Sequence, residues 1–177
     1  MNITLVRCGQ TEDDFLQKIH GSNNNLLSDS GRRQCQKLKF YLKEKNYDYC
    51  YMSPLISCVE TAMILVGDRV ETVPDSRLIE RDMGELKGRP LQEYNVYKFW
   101  DYDLNRNDYG VEAVQDLFKR CQDFLDYILK KCNGCNILIV THEEVYRALR
   151  YLLKDYKLEG SLLDGTIDYC KVEEFTV

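Results

Sequence analysis

The chain has 177 residues, 44% of them hydrophobic and 30% charged, the profile of a globular protein rather than a disordered one. Lys and Arg total 24 against 29 Asp and Glu, a net charge of −5 with no basic run, so duplex nucleic acid is not expected as a partner. No apolar stretch nears the roughly 18 residues of a spanning helix, and Met1–Cys8 turns polar too soon for a signal peptide. The expectation is therefore a cytoplasmic protein with no membrane contact. It should form a single domain over 1–177, long enough to need no disulfide or metal staple.

Ile3-Thr4-Leu5-Val6 is a short β-branched run that predicts a buried strand opening into a loop at Arg7-Cys8-Gly9. Polar residues 12–27 predict a surface loop, after which Ser28 or Ser30 caps a helix to about Lys45, with Cys35, Leu38, Tyr41 and Leu42 on one face. Tyr47 to Met52 predicts a second strand, and Ser53-Pro54 the cap and first turn of another helix. Val70 to Val73 predicts a third strand.

Residues 89–110 crowd Tyr94, Tyr97, Phe99, Trp100, Tyr102 and Tyr109 among Asn and Asp. Such a segment fits an insertion or a lid over a pocket, though core packing also explains aromatics. Val114, Leu117, Phe118, Cys121, Leu125, Ile128 and Leu129 form an amphipathic helix stripe. Ile137–Val140 predicts a strand buried on both faces, Thr141-His142 ends it, and 143–154 return to helix. The last segment, about 166–177, predicts an outer strand.

The eight cysteines are scattered, and only Cys132 and Cys135 form a C-x-x-C pair. No second pair stands at zinc-ribbon spacing, so no metal is expected, and Asn133-Gly134 predicts a helix stop there instead. Cys35, Cys50, Cys121 and Cys170 read as small buried hydrophobes. Strands alternating with helices predict a three-layer α/β/α sandwich with a mostly parallel sheet, in which ligands bind beyond the carboxyl ends of the strands. Arg7-Cys8-Gly9 and Thr141-His142 are two such ends.

Five segments in order resemble the histidine phosphatase superfamily, the phosphoglycerate mutase-like proteins. They are Leu5-Val6-Arg7-Cys8-Gly9-Gln10-Thr11, Leu27-Ser28-Asp29-Ser30-Gly31-Arg32-Arg33-Gln34, Ser53-Pro54-Leu55-Ile56-Ser57-Cys58-Val59-Glu60-Thr61-Ala62, the acidic segment Leu78–Gly88, and Thr141-His142-Glu143-Glu144-Val145-Tyr146-Arg147-Ala148-Leu149. Gly110-Val111-Glu112 is a weaker match. The resemblance implies a phosphoglycerate mutase-like fold and a phosphoryl-transfer pocket without cofactor or metal. In the family a first histidine attacks phosphorus, two arginines and a second histidine hold the phosphate oxygens, and a glutamate protonates the leaving alcohol.

By that resemblance Cys8, Glu80 and His142 occupy the catalytic positions and Arg7, Gln10, Asp14 and Ser57 the phosphate-binding ones. Several depart from the pattern: Cys8 stands for the nucleophilic histidine, Ser57 for the second arginine, Asp14 for an asparagine, and Glu143-Glu144 for a glycine pair. These changes remove cations and add carboxylates, and a serine hydroxyl cannot replace a bidentate arginine. Arg81 or Arg150 are candidate substitutes. A thiol at position 8 also lies roughly 1.5–2 Å short of where an imidazole nitrogen reaches, and about 1 Å of misplacement costs about 10²-fold.

The leading expectation is a family member whose phosphoryl transfer is lost or strongly reduced, acting through its old pocket on a small phosphorylated molecule or another anion. The alternatives are an active phosphomonoesterase or mutase using Cys8 or a water activated by His142 and Glu80, and a redox-responsive protein with an exposed Cys8 thiolate.

Overall fold

The β-branched and apolar runs assemble one sheet. In the computed structural model, which describes residues 1–16 and 18–177, the strands are β1 (Asn2–Arg7), β2 (Tyr49–Met52), β3 (Glu71–Pro74), β4 (Asn136–Thr141) and β5 (Val172–Thr176). Their order is β3-β2-β4-β1-β5, all parallel except β5, which runs antiparallel to β1 at one edge. Register places Leu5 beside Ile139 and Arg7 beside Thr141, so the carboxyl ends of β1 and β4 finish level.

Alternation along the strands divides the core into two layers. Ile3, Leu5, Tyr51, Ile137 and Ile139 face α4 (Val114–Lys131) and α5 (Glu143–Leu153). Val6, Cys50, Met52, Leu138 and Val140 face α1 (Asp29–Leu42) and α2 (Ile56–Leu65). A fifth, short helix, α3 (Val96–Phe99), lies in the aromatic segment. The three-layer α/β/α expectation is met.

The differences are local and have physical causes. Ser28 caps α1, accepting from the Gly31 N–H at 3.0 Å, but the helix ends at Leu42, and Tyr41 and Leu129 lie on exposed flanks rather than on the buried faces expected of them. The Ser53-Pro54 start is corrected: Leu55 is the N-cap of α2 with no side-chain cap bond, and Ser53 lies buried just after β2, its hydroxyl accepting from the Leu55 N–H at 3.3 Å and meeting the His142 ring at 2.8 Å. Loop 12–27 carries a 3-10 turn at Asp13–Leu16 and buries Ile19 and Leu27, so it is partly internal.

Phe99 and Trp100 are buried in the core, while Tyr97 and Tyr109 face solvent. The outer strand is shorter than expected, leaving residues 167–169 as a loop over the strand ends. Cys132 ends α4 and Gly134 takes a φ of 81°, the helix stop expected from Asn133-Gly134.

Candidate active site

A cavity of about 290 Å³ opens at the carboxyl ends of β1 and β4, where a parallel sheet leaves its crevice. Arg7, Cys8, Asp14, Ser57, Glu80 and His142 all line it, together with Tyr94 and Leu91 from the aromatic segment. Gln10 does not: its backbone N–H donates to the Gln34 side chain at 3.2 Å and its carbonyl accepts from the Ser28 N–H at 2.9 Å, tying the loop to α1. Gly31 sits in that helix because a Cβ there would lie 2.1 Å from the Gln10 carbonyl oxygen.

Cys8 lies at the cavity floor, only 6% exposed, so the thiolate is not the exposed one that a redox-responsive reading assumed. Its backbone N–H donates to the Thr141 carbonyl at 2.8 Å, locking β1 to β4 where the reactive residues emerge. Its Sγ lies 3.8 Å from Nδ1 of His142. The other ring nitrogen, Nε2, meets Ser53 Oγ at 2.8 Å. Cys58, from the first turn of α2, brings a second sulfur to the same ring, 3.8 Å from Nδ1 and 3.4 Å from Nε2.

A hydrogen bond from Cys58, joined by His142 and Arg7, holds the Cys8 thiol well below the ordinary thiol range despite its burial. Burial and the neighbouring Cys8 sulfur push the Cys58 thiol well up. Burial alone would lower the His142 pKa, but the Cys8 hydrogen bond and the charges of Cys8 and Glu80 raise it. The pair accordingly leans toward thiolate and imidazolium. Cys50 and Cys121, by contrast, are pushed up to about 12 by burial, as inert core thiols should be. Cys35 is buried as expected, but Cys170, whose sulfur lies 3.6 Å from that of Cys35, is only partly buried.

Glu80 accepts from the backbone N–H groups of Arg81 at 2.8 Å and Glu144 at 3.4 Å, and burial pushes its carboxyl up to about 7. That is a suitable range for a general acid near neutral pH. Arg7 is already engaged. Its guanidinium pairs with Glu143 at 3.1 Å, donates to the Ile167 carbonyl, and lies 4.1 Å over the Tyr169 ring. Asp14 accepts from the Thr11 N–H at 2.6 Å and hydroxyl at 2.9 Å, and lies 3.6 Å from His20 Nε2. Ser57 is buried and presents an uncharged hydroxyl side chain at the cavity wall.

Neither candidate substitute arginine reaches the cavity. Arg81 is fully buried, donating to the carbonyls of Phe99 at 2.9 Å and Glu112 at 2.8 Å and pairing with Glu144 at 3.3 Å. Arg150 pairs with Asp164 and Glu173. The two glutamates after His142 diverge: Glu143 takes Arg7, and Glu144 turns inward to accept from Trp100 Nε1 at 2.8 Å and the Tyr94 hydroxyl at 3.3 Å.

The sequence profile of the histidine phosphatase superfamily (branch 1) matches residues 3–177. The chain belongs to that superfamily. It is 33% identical over 157 residues to phosphoglycerate mutase-like protein 4 of Arabidopsis thaliana, covering 83% of this chain and 68% of that protein. Its fold matches YhfR of Bacillus stearothermophilus with a TM-score of 0.88 at 24% identity, covering 99% and 91% of the two chains. A mutant phosphoserine phosphatase of Entamoeba histolytica, solved with phosphoserine, matches with a TM-score of 0.85 at 22% identity over 99% and 90%. These likenesses establish the phosphoglycerate mutase-like fold.

Sequence reasoning named Arg7, Cys8, Glu80 and His142, which the fold gathers. It missed Ser53, Cys58 and Tyr169 as neighbours of those groups. Cys58 lies inside the Ser53–Ala62 segment that carries the resemblance, but its meaning depends on which face of α2 meets His142.

Proposed function

We propose that this superfamily member binds a small phosphorylated molecule or a related anion in the old phosphoester pocket, with phosphoryl transfer lost or strongly reduced. The observation that carries this reading is the position of Cys8, a buried sulfur 3.8 Å from His142 Nδ1, where the family motif has its nucleophilic histidine. No phosphohistidine forms at a cysteine. The electrostatics agree: phosphoryl transfer needs fixed cations around three anionic oxygens, yet Arg7 is paired with Glu143, and Ser57 supplies no charge. The solved relative holding phosphoserine supports a phosphate ester as the ligand class.

A second reading is favoured by the lowered Cys8 thiol and by Glu80 near 7. In it the Cys8 thiolate attacks phosphorus, the ester oxygen leaves with the proton of Glu80, and water then cleaves the thiophosphate. Turnover of an aryl phosphate and a panel of small phosphate esters separates the two. The expected result is no turnover in wild type and recovery in the triple variant Cys8→His, Ser57→Arg, Glu143→Gly. Wild-type turnover abolished by Cys8→Ala would overturn the first reading and establish the second.

A further inference from the structure

Two cysteines distant in sequence meet one histidine. The Sγ atoms of Cys8 and Cys58 and a ring nitrogen of His142 all lie within 4.8 Å of one another, and all three residues are buried. Each comes from a separate, firmly held element: the end of β1, the first turn of α2 and the end of β4. We propose that Cys8, Cys58 and His142 form a Zn²⁺ site of the Cys₂His type, with a fourth position open to the cavity.

The geometry suits the ion. Zinc bonds of about 2.3 Å to sulfur and about 2.0–2.1 Å to nitrogen at tetrahedral angles set sulfur and nitrogen about 3.6 Å apart. Both sulfurs stand 3.8 Å from Nδ1, but that of Cys58 is nearer Nε2, at 3.4 Å, so coordination requires the Cys58 side chain or the imidazole to rotate until both sulfurs face one ring nitrogen. Ser53 completes the second shell. Its hydroxyl lies 2.8 Å from Nε2, and an N–H donated there leaves Nδ1, the ring nitrogen beside Cys8, with the lone pair.

Charge argues the same way. Two thiolates and a neutral imidazole balance a divalent cation, so the loaded site places no net charge in a buried setting. The surroundings of an ordinary phosphate pocket would repel such an ion. Here the one arginine is neutralised by Glu143 at 3.1 Å, and α2 presents Ser57. Two thiolates select a thiophilic ion over magnesium or calcium. Cys8 and His142 line the cavity, so a water or a ligand oxygen completes the tetrahedron from that side. Three protein ligands with one open position is the pattern of reactive rather than purely structural zinc. On binding, Zn²⁺ displaces two protons, that of the Cys58 thiol and the one shared by Cys8 and His142, which pass to the buffer; no oxidation is involved. This inference is independent of whether phosphoryl transfer survives.

The test uses the full chain, reduced with a phosphine and stripped with a chelator, then titrated with Co²⁺ and afterwards with Zn²⁺. One equivalent of Co²⁺ should bind with thiolate-to-cobalt charge-transfer absorption and intense tetrahedral d–d bands, and Zn²⁺ should displace it. Cys58→Ala and Cys8→Ala should each weaken binding at least about a hundredfold. Cys132→Ser with Cys135→Ser should leave it intact. Independently of any variant, Zn²⁺ should protect Cys8 and Cys58 from alkylation in the wild type. The proposal is overturned by the absence of a charge-transfer band in wild type, by its persistence in both alanine variants, by its loss in the Cys132 and Cys135 variant, or by Zn²⁺ failing to protect Cys8 and Cys58.

Discussion

The Arg7 guanidinium is held 3.1 Å from the Glu143 carboxylate across the mouth of the cavity. Burial would ease the proton off Arg7, but Glu143, first among its charged neighbours, keeps it firmly charged. Burial in turn raises the Glu143 carboxyl above the usual range. An anionic ligand must compete with an internal carboxylate for the one arginine it needs.

Glu143→Gly should release that arginine. Titration calorimetry with inorganic phosphate at neutral pH should show affinity rising about tenfold, equivalent to about 1.4 kcal/mol. Unchanged affinity would mean that Glu143 is not the competitor.

Glu144 is the keystone of a buried polar cluster, accepting from Trp100 Nε1, the Tyr94 hydroxyl and Arg81. Glu144→Ala leaves the fully buried Arg81 charge without its partner, so stability should fall by about 3–5 kcal/mol. Urea unfolding followed by the fluorescence of Trp100, the single tryptophan, measures this directly. A loss under about 1 kcal/mol would contradict the cluster's importance.

Glu80 carries a pH signature. Its carboxyl titrates near 7 in the fold, against 4.5 for the ordinary group, so the folded state holds the extra proton between those values. Stability contributed by the protonated form is complete below about 4.5 and is lost as pH rises through about 7. Unfolding free energies of the metal-free protein across that window should fall in wild type, relative to Glu80→Gln, by an amount on the order of 1–3 kcal/mol. Parallel profiles would show that Glu80 ionises normally.

Gly31→Ala should destabilise the protein although alanine is the better helix former. The added Cβ would meet the Gln10 carbonyl at 2.1 Å, so the loop after Cys8 must shift. The net cost should be about 1–3 kcal/mol in denaturant unfolding. A gain in stability would mean that the loop yields freely.

Much of the fold was readable because burial imposes a period. The run Ile137–Val140 lacks polar relief and lies in the middle of the sheet, buried on both faces. The stripe through Val114, Leu117, Cys121 and Ile128 packs as a helix on one layer, while Leu129, one position off the stripe, stays outside. Ser53-Pro54 misled because a serine before proline is a good cap, and nothing local announces that a histidine 89 residues later takes its hydroxyl. Residues 89–110 had no single period because their aromatics divide among the core, the cavity wall and solvent.

Sequence by itself determined the superfamily, the layering of helices on a mostly parallel sheet, and the placing of Arg7, Cys8 and His142 at neighbouring strand ends, since all of these follow from short-range patterns and motifs in order. Only the tertiary structure decided what those residues face. Arg7 meets Glu143 and Tyr169, and Cys58 meets both Cys8 and His142. Such contacts depend on the turn of α2 and on the loop before β5 folding back over the strand ends. Long-range distances of this kind carry the electrostatics of a site, and no local spacing encodes them.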